Sequence, residues 1–163
     1  MGCGKSVVSQ KLASKINFPV VELDQMIEKK AGMSVSDIFS NKGELYFRKL
    51  ERALFLELLQ APNNLIISTG GGTPCYFNNH ELLKQDNVVS VYLKASIDTL
   101  YNRLIQEKEK RPLIAAIANS EVKEFIAKHI FDRSFYYHQA AHKVDVDDKT
   151  IDQIVDEISS LLS

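Results

Sequence analysis

Apolar residues recur at Val8, Leu12 and Ile16, and this four-residue spacing predicts a helix over Lys5–Ile16. The stretch FPVVEL, residues 18–23, is short and β-branched and reads as a strand that delivers Asp24 at its end. Gln25 to Phe39 reads as helix in two pieces, with Gly32 as the break. Gly43 to Gln60 follows as a longer helix with a core stripe of Phe47, Leu50, Leu54 and Leu58. NLIIST, residues 64–69, is a buried type of strand that runs directly into Gly70, Gly71 and Gly72. Residues 88–93, VVSVYL, predict a third strand, and Ile97, Leu100, Tyr101, Leu104 and Ile105 trace one face of the next helix. Pro112 is expected to end that helix. Val122, Phe125, Ile126 and Ile130 open another, running to about Tyr137, and HKVDV is a short last strand. Thr150 with Gln153 predicts a capping box for a closing helix that buries Ile151, Ile154, Val155, Ile158 and Leu162. Strands alternating with helices predict an α/β fold, a parallel sheet covered on both faces.

Composition narrows this picture only a little. The 163 residues carry a net charge of -1, with 45% hydrophobic and 25% charged residues, which suits a single domain over residues 1–163. So balanced a charge offers nucleic acid no electrostatic footprint. No apolar run is long enough to span a membrane. Cys3 and Cys75 are too few for a disulfide framework, so a reducing cytoplasm is expected. The four histidines, at 80, 129, 138 and 142, show no metal-ligand spacing with the cysteines.

Chemistry concentrates in four places. Gly2-Cys3-Gly4-Lys5-Ser6 matches the tail of the phosphate-loop pattern G-x-x-x-x-G-K-[ST] without its leading glycine. Glycines there turn successive N–H groups around a phosphate, the lysine reaches the terminal phosphates and the hydroxyl suits Mg²⁺. Glu22 and Asp24 are expected on one face of the second segment's strand, where one carboxylate could serve metal-bound water and the other accept a hydroxyl proton. Gly70, Gly71 and Gly72 end a strand where backbone must approach a ligand closely. Arg48, Arg111 and Arg133 would suit an anionic substrate. Arg48 has Glu44 four residues before it and Glu51 three after, both able to orient its guanidinium.

Taken in order, GCGKS, Leu23-Asp24, GELYFRKLE, STGGG, RPLI and DRSFYY resemble the shikimate kinase family along essentially the whole chain. The resemblance implies a three-layer P-loop kinase fold with a parallel sheet of order 2-3-1-4-5, and a lid at about residues 107–121. It implies ATP-dependent phosphorylation of the 3-hydroxyl of shikimate in aromatic amino-acid biosynthesis, by a monomer using ATP and Mg²⁺. Carried over by residue, Gly2, Cys3, Gly4, Lys5, Ser6 and Val7 bind nucleotide, and Ser6 with Glu22 serves the metal. Asp24 holds the reacting hydroxyl, while Arg48, Arg133 and Gly70 to Gly72 bind the substrate. Arg111 in the lid meets the transferring phosphate, and Arg103 and Lys149 lie near the nucleotide.

Two departures from the family pattern stand out. Glu22 replaces the usual aspartate and keeps its charge. The family's first strand, the middle one of five, has no counterpart ahead of Gly2. Its loss is expected to cost on the order of 10 kcal/mol, comparable to the total stability of a domain at about 5–15 kcal/mol. The expectation is therefore that Met1 is not the natural start. The alternatives are a gluconate-type kinase, against which the triple glycine and RPLI speak, and a truncated or inactive chain that only binds nucleotide or substrate.

Overall fold

The computed structural model describes residues 2–110 and 112–162. Helix α1 (Lys5–Ile16) leads to strand β1 (Val20–Glu22), then α2 (Leu23–Ala31), α3 (Val35–Lys42) and α4 (Glu44–Leu59). Strand β2 (Ile66–Ser68), a 3₁₀ turn (Thr73–Cys75) and α5 (Asn79–Leu82) come next. The chain continues through β3 (Val91–Lys94), α6 (Ile97–Gln106), α7 (Pro112–Ala115), α8 (Asn119–Tyr137), β4 (His142–Asp145) and α9 (Ile151–Leu161).

Local chemistry explains most boundaries. Gly32 takes a left-handed conformation, φ 69°, and closes α2. The side chains of Ser34, Ser96 and Thr150 accept from backbone N–H groups to open α3, α6 and α9. At α9 the expected capping box is complete, with Gln153 reaching back to the Thr150 N–H.

Three expectations need correction. The first strand stops at Glu22, so Asp24 lies in the first turn of α2 and does not share a strand face with Glu22. Leu23 is fully buried as a helix residue, and packing overrides its strand-like surroundings. Pro112 does not end α6, which stops at Gln106; it opens α7, at the helical position whose N–H lacks an acceptor in any case. Leu162 lies beyond α9 and is exposed.

The sheet is parallel but divided. β1 pairs with β2 from Val20↔Ile66 to Glu22↔Ser68, and β3 pairs with β4 from Val91↔His142 to Lys94↔Asp145. Among the described residues no strand joins β2 to β3. Helices bridge the halves instead: α1 packs on β1, β2 and α9. One apolar cluster joins Val8 and Leu12 to Leu93, Val144, Ile154 and Ile158. A second places α2 and α3 on α4 through Leu23, Ile27, Ile38, Phe47 and Phe55. A third joins α6, α7 and α8 through Leu104, Ile114 and Ile126. Ile114, within the expected lid, is fully buried there and fixes α7 to the body.

Candidate active site

The turn before α1 is shaped by Gly2 (φ 70°) and Gly4 (φ 91°), both in the left-handed region. Gly4 caps α1 with no side-chain acceptor, and the first turn holds no acidic residue. Among the described residues, that helix end thus has neither a side-chain cap nor an acidic residue of its own at its positive dipole end. Leu104 packs against Gly2 where a Cβ would come within 2.9 Å of its Cγ. Arg103 donates weakly to the carbonyls of Gly2 and Cys3, at 3.5 and 3.3 Å, so α6 lies against the turn. Val7 follows on the exposed side of α1. Lys149, by contrast, is engaged with Glu157 at 2.5 Å.

Behind the turn, Ser6 donates to Glu22 Oε2 at 3.3 Å and the buried Ser9 donates to Oε1 at 3.4 Å. The end of β1 is thereby joined to the first turn of α1. Asp24 lies close by, with Oδ1 only 3.0 Å from where a Gly70 Cβ would stand. Burial raises the Asp24 carboxyl above its usual pKa, opposed by the charges of Lys5 and then Arg48. Asp24 thus lies in the field of both cations.

Arg48 is buried, and its environment is built from four directions. Nη1 donates to Glu51 Oε2 at 2.9 Å, and Nε reaches Glu44 Oε1 at 3.4 Å. The Tyr76 ring lies 4.0 Å from the guanidinium carbon and that of Phe47 5.0 Å away. Burial opposes the charge, but the Glu51 hydrogen bond and charge, with Tyr76 and Glu44, hold the pKa above its ordinary value. Gly72 completes the setting, since a Cβ there would lie 2.6 Å from Arg48 Nη2.

A buried polar chain fixes the glycine turn to this arginine. Thr73 donates its hydroxyl to Glu51 Oε1 at 2.7 Å, and its N–H reaches the Gly70 carbonyl at 3.2 Å. Asn79 donates to the Thr73 carbonyl at 2.7 Å and accepts from Arg52 at 2.6 Å. Gly71 is tied from α8, whose Tyr137 hydroxyl donates to its carbonyl at 2.7 Å. Sequence reading missed Thr73, Tyr76 and Asn79. Their only signal was polar or aromatic character just after the triple glycine.

Arg133 lies on α8 against His129. Its charge acts on Glu44, Cys75 and Tyr76, the surroundings of Arg48. Burial first, and then the Arg133 charge, push the His129 pKa down to about 4. The structure therefore brings together Gly2 to Val7, Glu22, Asp24, Arg48, Gly70 to Gly72 and Arg103, with Arg133 at the edge of the Arg48 pocket. Arg111 lies outside the described residues. Among the described residues no group of three or more His, Cys, Asp or Glu side chains could hold a metal.

The family model for shikimate kinase matches residues 1–163. A shikimate kinase of Flavobacterium johnsoniae is 60% identical over 163 residues, covering 100% of this chain and 95% of that protein. The solved shikimate kinase of Bacteroides thetaiotaomicron superposes with a TM-score of 0.91 at 32% identity, covering 99% of this chain and 93% of the other. That of Acinetobacter baumannii, in complex with shikimate, gives 0.87 at 26% identity, covering 99% and 88%. With phosphate turn, carboxylate and buried arginine already assembled in the expected order, this chain belongs to the shikimate kinase family.

Proposed function

We infer that this chain transfers the terminal phosphoryl group of ATP to the 3-hydroxyl of shikimate, giving shikimate 3-phosphate and ADP. The observation that carries this reading is Asp24, one carboxylate lying in the field of Lys5 at the phosphate turn and of Arg48 in the buried pocket. Catalysis of this kind is mostly positioning and charge stabilisation.

Lys5 and the N–H groups at the start of α1 receive the nucleotide phosphates, with Arg103 bracing the turn. Arg48 and Arg133 bind the substrate carboxylate, and Gly70 to Gly72 allow the ring to lie against backbone. Asp24 accepts the proton as the hydroxyl oxygen bonds to phosphorus and the bond to the ADP oxygen breaks. Arg111 is assigned to the transferring phosphate. Ser6 and Glu22, a hydroxyl beside a carboxylate, form the hard oxygen pair that Mg²⁺ takes together with nucleotide phosphates. Bound there, Mg²⁺ would neutralise phosphate charge. We place the reaction in the cytoplasm, where unpaired cysteines such as Cys3 and Cys75 persist. We take the enzyme to act as a monomer.

Mass spectrometry of the products after incubation with ATP, Mg²⁺ and shikimate tests the reaction. Shikimate carrying one phosphoryl group is expected. ATP consumed with shikimate unmodified would overturn the reading.

A further inference from the structure

The guanidinium of Arg48 has three nitrogens, and two are already committed to carboxylates. Nε reaches Glu44 and Nη1 donates to Glu51. Among the described residues Nη2 donates to no protein acceptor, and it lies against Gly72. Carboxylates meet a guanidinium in its plane, so its two faces are left for aromatic rings. Three rings approach the guanidinium carbon, Tyr76 at 4.0 Å, Phe47 at 5.0 Å and Phe39 at 5.9 Å. Phe47 precedes Arg48 on α4, and Phe39 packs on Phe47 with ring centres 4.7 Å apart. Tyr76, the nearest, is alone of the three in coming from the segment after the glycine turn.

That segment is held firmly. The Cys75 N–H donates to the Gly72 carbonyl and the Asn79 N–H to the Tyr76 carbonyl, both at 2.9 Å. The buried Asn79 side chain donates to the Thr73 carbonyl at 2.7 Å. Immediately after Tyr76 the backbone is left-handed at two consecutive residues, Phe77 (φ 50°) and Asn78 (φ 57°). Asparagine tolerates that region, whereas phenylalanine does so only at a cost. The Phe77 ring is exposed, so its own burial does not offset that cost. Strain of this kind persists where the surroundings over-determine it, and here the turn sets Tyr76 over Arg48. The Tyr76 hydroxyl donates to the Glu44 carboxylate, which lowers the pKa of Glu44 and raises that of Tyr76. Glu44 therefore grips both the tyrosine, by its hydroxyl, and the arginine, by Nε.

We propose that Tyr76 is a positioning residue for substrate binding: its ring, tied through its hydroxyl to Glu44, holds the Arg48 guanidinium in the orientation that presents Nη2 to the substrate carboxylate. This role rests on the assignment of Arg48 to that carboxylate. An arginine side chain loses much rotamer freedom when it is fixed, and fixing it before binding removes that cost from the affinity. The ring and hydroxyl act on Arg48 and Glu44, so the effect belongs to the acceptor substrate and not to the nucleotide.

Calorimetric binding of shikimate, with steady-state kinetics, tests this on Tyr76→Leu and Tyr76→Phe in the full chain. Loss of the ring in Tyr76→Leu is expected to weaken shikimate binding and raise its KM by about tenfold or more. The kcat at saturating shikimate and the KM for ATP should stay within about twofold of the parent, as for an interaction that serves binding alone. Tyr76→Phe keeps the ring face and should bring shikimate affinity back to within about threefold of the parent. Should the leucine variant fail to fold, Tyr76→Gln repeats the loss of the ring. Unchanged shikimate affinity without the ring would overturn the role of Tyr76 and leave the proposed reaction standing. So would an equal loss in Tyr76→Phe, or parallel losses for shikimate and ATP. A parent chain that binds no shikimate would instead overturn the proposed reaction and this role with it.

Discussion

Gly72 lies so close to Arg48 that a Cβ at Gly72 would fall 2.6 Å from Nη2 and 2.8 Å from Nη1. Its φ of -91° suits any residue, so the glycine serves contact with the guanidinium and not backbone freedom. Gly72→Ala is therefore expected to displace Arg48 without straining the turn. The KM for shikimate should rise about tenfold or more, a loss of about 1.4 kcal/mol, with the KM for ATP nearly unchanged. Steady-state kinetics with each substrate varied checks this; equal effects on both would detach Gly72 from the acceptor pocket.

Glu51 is fully buried and holds both Arg48 and Thr73. Removing one partner of a buried pair costs about 3–5 kcal/mol, because the remaining charge stays buried. Glu51→Ala should lower stability by about that amount in urea unfolding. Glu51→Gln, which keeps an acceptor for Thr73, should cost less. A neutral result for Glu51→Ala would show that Arg48 does not depend on it.

Asp24 joins function to instability. Its pKa is raised by burial, so the folded protein binds this proton more tightly than the unfolded chain. The associated stability is present at low pH. It is lost as pH rises from the ordinary carboxylate value through the folded one. Asp24→Asn should flatten that decline and raise Tm near neutral pH, spare ATP binding and reduce turnover by about 10²–10⁴-fold. A variant that keeps turnover would remove Asp24 from proton transfer.

His129 carries the opposite sign. Burial and Arg133 lower its pKa to about 4, against an ordinary value of 6.5. Its contribution to stability is complete above 6.5 and fades as pH falls toward 4, because only the unfolded chain takes up the proton readily. Thermal unfolding across that window should show the decline, and His129→Gln should reduce it. NMR titration of His129 near 6.5 would contradict the assignment.

Much of this was legible in the residues themselves. Apolar spacing marked α1, α6 and α9, and the Thr150–Gln153 capping box marked where α9 begins. The strands were less legible: only three or four residues of each pair, and their apolar neighbours Phe18, Leu23 and Val89 belong to loop or helix. Asp24 was expected as a site residue but on the wrong element, since strand and helix meet within two positions of it. Arg48 and Glu51 were legible as a pair at helical spacing, but their burial was not. Their burial depends on Thr73 and Gly72, more than twenty positions away, a relation no local pattern carries. The orphaned Ser68 hydroxyl, buried without a hydrogen-bond partner among the described residues, was visible only in three dimensions.

The most direct test of the account is ADP release with ATP and Mg²⁺, measured with shikimate, with gluconate and with neither. ADP formation that depends on shikimate and is not supported by gluconate is the expected result. ADP released at the same rate in all three, or preferentially with gluconate, would contradict the assignment of Arg48, Asp24 and the glycine turn to shikimate.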